Sequence, residues 1–257
     1  MKVAVLISGQ PRFTKDFDDL IYNLDEYDRI DWFIHVWKST HKEDCLISPN
    51  WNNNKHEVYV KLVNMLPKDN FVVHLDIVKQ PIFNNNANYV RIAPDMDYSP
   101  RAWAMFNGIK QVNSIREKYE LVFGKYDLVI RARPDGGINS VIYLNRAKQY
   151  LDQCNHKTII MPNNGRFELI LKNDYFEKNL NAVNDQFAIG DSLVMSDYCN
   201  VFDYIDQYTY DGIPFTGENM LGYHLWKHDI NVPSSSFEVH LRKYHHPNQS
   251  IDYGRWK

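Results

Sequence analysis

"YDLVIRARPDGG", residues 126–137, decides how the chain is read. Leu128, Val129 and Ile130 make the short apolar, β-rich run of a strand covered on both faces. The run then ends in Arg131, Arg133, Pro134, Asp135 and two glycines. Charged groups are rarely buried without partners, so this charge belongs at the carboxyl end of the strand. In open sheets of parallel strands, that end is where ligands bind. Gly136 and Gly137 read as freedom for the chain to turn around such a ligand.

The flanking sequence predicts the sheet this strand needs. "KVAVLIS" (2–8) is a second continuous apolar run, broken by "GQPRF" (9–13). "TKDFDDLIYNLDEY" (14–27) carries Phe17, Leu20, Ile21 and Leu24 at helical spacing. Thr14 is its N-cap, and Asp16, Asp18 and Asp19 suit the positive end of the helix dipole. "IDWFIHVW" (30–37) and "NFVVHLDIV" (70–78) read as strands, and "KHEVYVKLVNML" (55–66) as a helix stopped by Pro67. "SPRAWAMFNGIKQVNSIREKY" (99–119) is the clearest helix. Ser99 caps it, Pro100 takes the first position, and Trp103, Phe106, Ile109, Val112 and Ile115 line one side.

Alternating strands and helices predict an α/β, Rossmann-like, mostly parallel sheet flanked by helices, in a single domain. Farther on, "KTIIMP" (157–162) and "INVP" (230–233) read as strands. "DQFAIGDSLVM" (185–195) reads as a strand and turn leading into a helix over 196–208. A second helix spans 217–228, and the tail is polar, aromatic and His-rich.

Composition narrows the classes of function. The formal net charge of −3 offers no general basic surface, so nucleic acid is not an expected partner. Seventeen Tyr and 6 Trp serve either as core or as faces for carbohydrate. Cys45, Cys154 and Cys199 are far apart and lack CxxC spacing, which fits a reducing compartment rather than a disulfide framework or zinc site. Val3 to Ile7 is too short for a signal-peptide core, and no run has the length of a membrane span. The expectation is a soluble cytoplasmic protein, with its oligomeric state open.

Two loops follow carboxyl ends: "SGQPR" (8–12) and "RARPDGG" (131–137). Ser8 and Gly9 allow close backbone approach, and Arg12 reads either as a phosphate or base contact or as a solvated arginine. Neither a G-x-G-x-x-G nor a P-loop pattern is present. Arg131 and Arg133 lie two apart on a strand and share a face. With Asp135 they read as a diphosphate and divalent-metal site, or as a structural ion-pair cluster. His35 and His74 fall inside strands and read as hydrogen-bonded core residues.

The order "KVAVLISGQPRF", "YDLVIRARPD", "NDQFAIG" and "GENMLGYHLW" resembles GT-A-type glycosyltransferases of bacteria and large viruses, over most of the chain. That resemblance implies a GT-A-like domain with a nucleotide-binding half (1–137) and an acceptor-binding half (138–257). It implies a nucleotide-sugar donor and a glycan or other hydroxyl acceptor, in surface or capsid glycan synthesis. The metal-holding Asp-x-Asp of such enzymes corresponds here to Arg133-Pro134-Asp135, which keeps only the last carboxylate. Mn²⁺ or Mg²⁺ would then sit on Asp135, with His240 and His245 as further ligands, or Arg133 would itself neutralise the diphosphate. Glu218, at a helix start, reads as the catalytic base or as a glutamate favoured by the dipole. Asp185 reads as a second catalytic or sugar-binding carboxylate, or as a turn residue. The alternatives are a non-catalytic glycan- or nucleotide-binding module, or another Rossmann-like enzyme such as a nucleotidyltransferase or phosphohydrolase.

Overall fold

The structure, a computed structural model, describes residues 1–9, 15–38, 55–81, 99–163, 167–168, 181–233, 235, 237 and 239–241. The first half runs β1 (Lys2–Gly9), α1 (Lys15–Tyr22), β2 (Leu24–Asp25), β3 (Arg29–Trp37), α2 (Lys55–Met65), β4 (Asn70–Val78), α3 (Ser99–Phe123) and β5 (Leu128–Ala132). Then come β6 (Gly136–Ile138), β7 (Ile142–Tyr143), α4 (Leu144–Gln153), β8 (Phe167–Glu168), β9 (Asn181–Ala182) and β10 (Phe187–Gly190). The chain ends with α5 (Ser192–Cys199), a 3-10 turn (Asn200–Tyr204), α6 (Ile205–Tyr210), α7 (Gly217–Lys227) and β11 (Val239–Leu241).

The main sheet has five strands in the order β10-β5-β1-β3-β4. β1 is parallel to β3 and β5, β3 is parallel to β4, and β10 joins β5 antiparallel. Side chains of a strand alternate between faces, and both faces of β1 are buried. Val3, Val5 and Ile7 pack with Phe17 and Leu20 of α1, Val58 and Leu62 of α2, and Leu144 of α4. Ala4 and Leu6 pack on the opposite side with Phe106, Ile109 and Val112 of α3, and with Met195 of α5 and Met220 of α7. Helices therefore cover both faces, which explains why the strands read as continuous apolar runs rather than as alternating ones.

Chain order sets where a ligand can bind. From β1 the chain moves outward to β3 and β4, then returns along α3 to place β5 on the other flank of β1. Strand order thus reverses between β1 and β5, and their carboxyl ends flank the crevice of an open α/β sheet. Among the described residues no helix is long and apolar enough to cross a membrane.

Several sequence boundaries move. The helix expected over 14–27 stops at Tyr22, because Leu24 and Asp25 pair with Ile142 and Tyr143 instead. Leu24 is buried either way, so its apolar spacing could not distinguish the two. Residues 157–162 and 230–233 are not strands: isolated bridges join Thr158 to Asn231 and Ile160 to Ile189. α5 begins at Ser192, before the expected start at 196, because the Asp191 carboxylate accepts from the Leu193 and Val194 N–H groups at 2.8 and 2.9 Å. The expected helix over 196–208 is broken by the 3-10 turn after Cys199. Gly136 and Gly137 are not a free turn; they form β6, paired antiparallel with β11. Thr14, and the side chains of Ser99 and Pro100, lie outside the described residues.

Candidate functional site

The site is built at the carboxyl ends of β1 and β5. β1 closes with Ser8, which is 2% exposed, and Gly9. Gly9 has φ of +127°, and a Cβ there would meet nothing within 4 Å. Backbone conformation, not lack of space, therefore demands glycine. Arg12 lies outside the described residues.

β5 ends at Ala132, which leaves Arg133 just beyond it, able to turn toward Asp135. Its Nε donates to Asp135 Oδ1 at 2.8 Å and its Nη2 to Oδ2 at 2.9 Å. This is a two-pronged fork, the strong arrangement for guanidinium and carboxylate. Arg131 points to the α3 face and is fully enclosed. Its Nη1 donates to the Asp185 carbonyl oxygen. It braces the cluster from beneath rather than lining its surface.

Two distant segments complete the arrangement. β10 runs antiparallel to β5, with Phe187 opposite Ala132. The residues that lead into β10, Asp185 among them, therefore arrive at the carboxyl edge of β5. α7 starts beside them: the Thr216 hydroxyl caps it, accepting from the Asn219 N–H at 3.2 Å. The Val183 N–H donates to the Glu218 carbonyl at 3.2 Å, which ties this helix start to the strand lead-in. Gly217 lies directly against the Asp185 carboxylate; a Cβ there would collide with Asp185 Oδ2 and stand 2.9 Å from Met105 Cε.

The charges are coupled. Burial lowers the Arg133 pKa, but attraction to Asp135, their hydrogen bond, and the charges of Asp185 and Glu218 outweigh it, so the net shift is upward. Glu218 is also raised, first by burial and then by the Asp185 charge, against the lowering effects of Thr216 and Arg133. It holds its proton more tightly than an ordinary glutamate. Arg133, Asp135, Asp185 and Glu218 thus form one electrostatic unit, with Arg131 below and Ser8 and Gly9 on the adjacent strand end.

Of the residues expected at a metal, only the Asp135 side chain lies among the described residues. Both Asp135 oxygens are engaged by Arg133, and among the described residues no three His, Cys, Asp or Glu side chains form a group that could hold a metal ion. Pairing of β6 with β11 sets the His240 backbone opposite Gly137, two residues after Asp135. The side chain of His240, and all of His245, lie outside the described residues. The described donors do not fit a Mn²⁺ or Mg²⁺ site while Arg133 holds Asp135.

Two features escaped the sequence. His35 is buried, as expected of a strand interior, yet neither ring nitrogen has a hydrogen-bond partner among the described residues. His74 is half-buried, with Nε2 2.8 Å from Asp76 Oδ2. Arg116 and Glu120, on the helix expected only to supply apolar contacts, are buried and paired at 2.9 Å. Their i, i+4 spacing was the available signal. A shallow depression lined by Met1, Asp127, Lys148 and Asp152 lies at the amino ends of β1 and β5, away from this cluster.

No protein-family model matches the chain, and no curated protein matches it.

Proposed function

We propose that the protein is a glycosyltransferase that moves a sugar from a nucleoside diphosphate sugar to a hydroxyl of a glycan or other acceptor. The observation that carries this reading is the convergence of Arg133, Asp135, Asp185 and Glu218 at the point where strand order reverses. Transfer breaks the bond between the anomeric carbon and the diphosphate oxygen and forms one to the acceptor oxygen. The diphosphate leaves with added negative charge, and the acceptor hydroxyl loses a proton.

Each requirement has a candidate group. A guanidinium has five N–H donors; Asp135 takes Nε and one on Nη2 of Arg133, and diphosphate oxygens would take others. The Glu218 carboxylate takes the acceptor proton, and its raised pKa makes it a stronger base than an ordinary glutamate. Asp185 holds the sugar or acceptor hydroxyls beside it. A divalent cation on Asp135 would add charge to the diphosphate site only after Arg133 released that carboxylate.

A thermal-shift screen of nucleotide sugars, with and without Mn²⁺, tests the reading, since a ligand that binds only the folded state stabilises it by mass action. The expected result is stabilisation by one donor class, lost in Arg133→Ala, and transfer lost in Glu218→Gln. No stabilisation by any donor would sink the proposal. The locked state of Asp135 also favours a second reading, a non-catalytic nucleotide- or glycan-binding module. Binding without release of nucleoside diphosphate would mark it.

A further inference from the structure

We propose that Ser8 and His35 form a binding subsite for an uncharged ligand group that carries both a hydrogen-bond donor and an acceptor. The proposal rests on the reading of the carboxyl edge as a ligand site and adds a chemical class to it. Ser8 and His35 are register partners on the parallel strands β1 and β3. Such neighbours lie about 4.8 Å apart on the same face of the sheet. That face is the α3 side, the side on which Arg131 also stands.

Ser8 is 2% and His35 7% exposed, yet Ser8 Oγ and both His35 nitrogens have no hydrogen-bond partner among the described residues. Buried polar groups in folded proteins are nearly always paired, and each exception calls for a physical reason. Two on adjacent strands, at the edge where the sheet binds ligands, call for a common one. A ring on the same strand packs against the imidazole without satisfying it. Trp37 packs edge-on to the imidazole, with ring centroids 5.2 Å apart. Gly108 lets α3 lie against this edge, since a Cβ there would stand 3.3 Å from Trp37 Cζ2 and 3.4 Å from Ser8 Cβ.

The chemistry of the pair names the ligand class. Burial lowers the His35 pKa, the Asp76 charge on β4 opposes this, and His74 adds to it; the net shift is downward. The imidazole is therefore neutral, with one N–H to donate and one lone pair to accept. A hydroxyl beside it can do either. The pair itself carries no charge. The Arg131 guanidinium on the same face, whose Nε and Nη2 are also unpaired among the described residues, is enclosed and held through Nη1 by the Asp185 carbonyl. A heterocyclic amide edge or a sugar hydroxyl pair matches both groups of the pair. These two sources share the chemistry, and the test separates them.

The experiment follows the ¹⁵N shifts of the His35 ring during titration with uridine 5′-diphosphate, guanosine 5′-diphosphate, glucose and N-acetylglucosamine, with His35→Asn to assign the signals. The expected result is that one probe class moves both nitrogens. Ser8→Ala, which removes only an unpaired hydroxyl, should fold normally and weaken that probe roughly fivefold, the worth of one hydrogen bond. A response to nucleotides assigns the heterocycle or ribose, and a response to free sugars assigns sugar hydroxyls. Nucleotides that bind, and weaken in Arg133→Ala, while His35 stays unmoved and Ser8→Ala binds as wild type, would overturn this subsite and leave the transferase reading standing. Sugars that move His35 while no nucleotide binds would do the reverse. No response to any probe would mean that buried water alone pairs these groups, and both would fail.

Discussion

Glu218, the proposed base, is held in the folded protein at the expense of stability. Its folded pKa is raised above the ordinary glutamate value. The folded state therefore holds the proton at pH values where the unfolded state has released it, and stability falls as pH rises through that window. At neutral pH, Glu218→Gln should raise the melting temperature. The gain should vanish below the unfolded carboxyl pKa, where both forms are neutral. The same change should lower transfer by about 10²–10⁴-fold while donor binding persists, the usual weight of a general base. A melting temperature unchanged at every pH would remove the electrostatic basis of this assignment. Gly217 makes a steric demand at the same place. Gly217→Ala drives a Cβ into Asp185 Oδ2, and should cost about 1–3 kcal/mol in denaturant unfolding as well as transfer activity. Arg133, Asp135, Asp185 and Glu218 were each legible as charged residues at element ends. That they act together was not, because 50 or more residues separate the first pair from the second and no local pattern encodes that contact.

Elements are joined by a polar network that the apolar periodicity of α3 concealed. Arg116 donates to Glu120 at 2.9 Å, to Ser192 Oγ at 2.6 Å and to Ser196 Oγ at 2.7 Å, which locks α3 to the start of α5. Burial raises the Glu120 pKa, but Lys125, Arg116, Ser192 and the Tyr126 N–H outweigh it, so the net shift is downward. Arg116→Met should leave Glu120 buried with a weakened set of partners and cost about 3 kcal/mol, at the lower end for a broken buried pair because Lys125 and Ser192 remain. Equilibrium denaturation measures this, and a loss near zero would show that the network merely fills space. The apolar stripe of α3 was readable because it repeats every three to four residues. The network was not, because its other half comes from a helix 76 positions away in sequence, as the Arg116–Ser192 bond records.

Across the whole molecule, acid is the expected weakness. His224 is completely enclosed between α6 and the end of α5: its Nδ1 accepts from the Tyr208 hydroxyl and its Nε2–H donates to the Asp197 carbonyl, each at 2.7 Å. Burial is the main cause that lowers its pKa to about 4. A depressed folded pKa means stability that is fully present above about 6.5 and is lost as pH falls toward 4. Stability should therefore decline by up to about 1.4 kcal/mol per pH unit for this one proton, and His35 adds to the decline in the same direction. Denaturant titrations between pH 7 and 4.5 should show a shallower slope in His224→Phe than in wild type. Equal slopes would place the acid sensitivity elsewhere.

The apolar runs and their alternation with helical stretches were enough to determine the α/β class, the parallel core strands and the placing of charge at strand ends. Those features are local: they depend on burial periodicity and on breakers such as Pro67. Only the tertiary structure decided that β10 enters antiparallel beside β5, and that α7 begins against Asp185. It also decided that Arg131 is a brace beneath the cluster and that Ser8 and His35 lie side by side without partners among the described residues. These are long-range pairings, settled by which distant surfaces bury one another, and no window along the chain contains both halves of any of them.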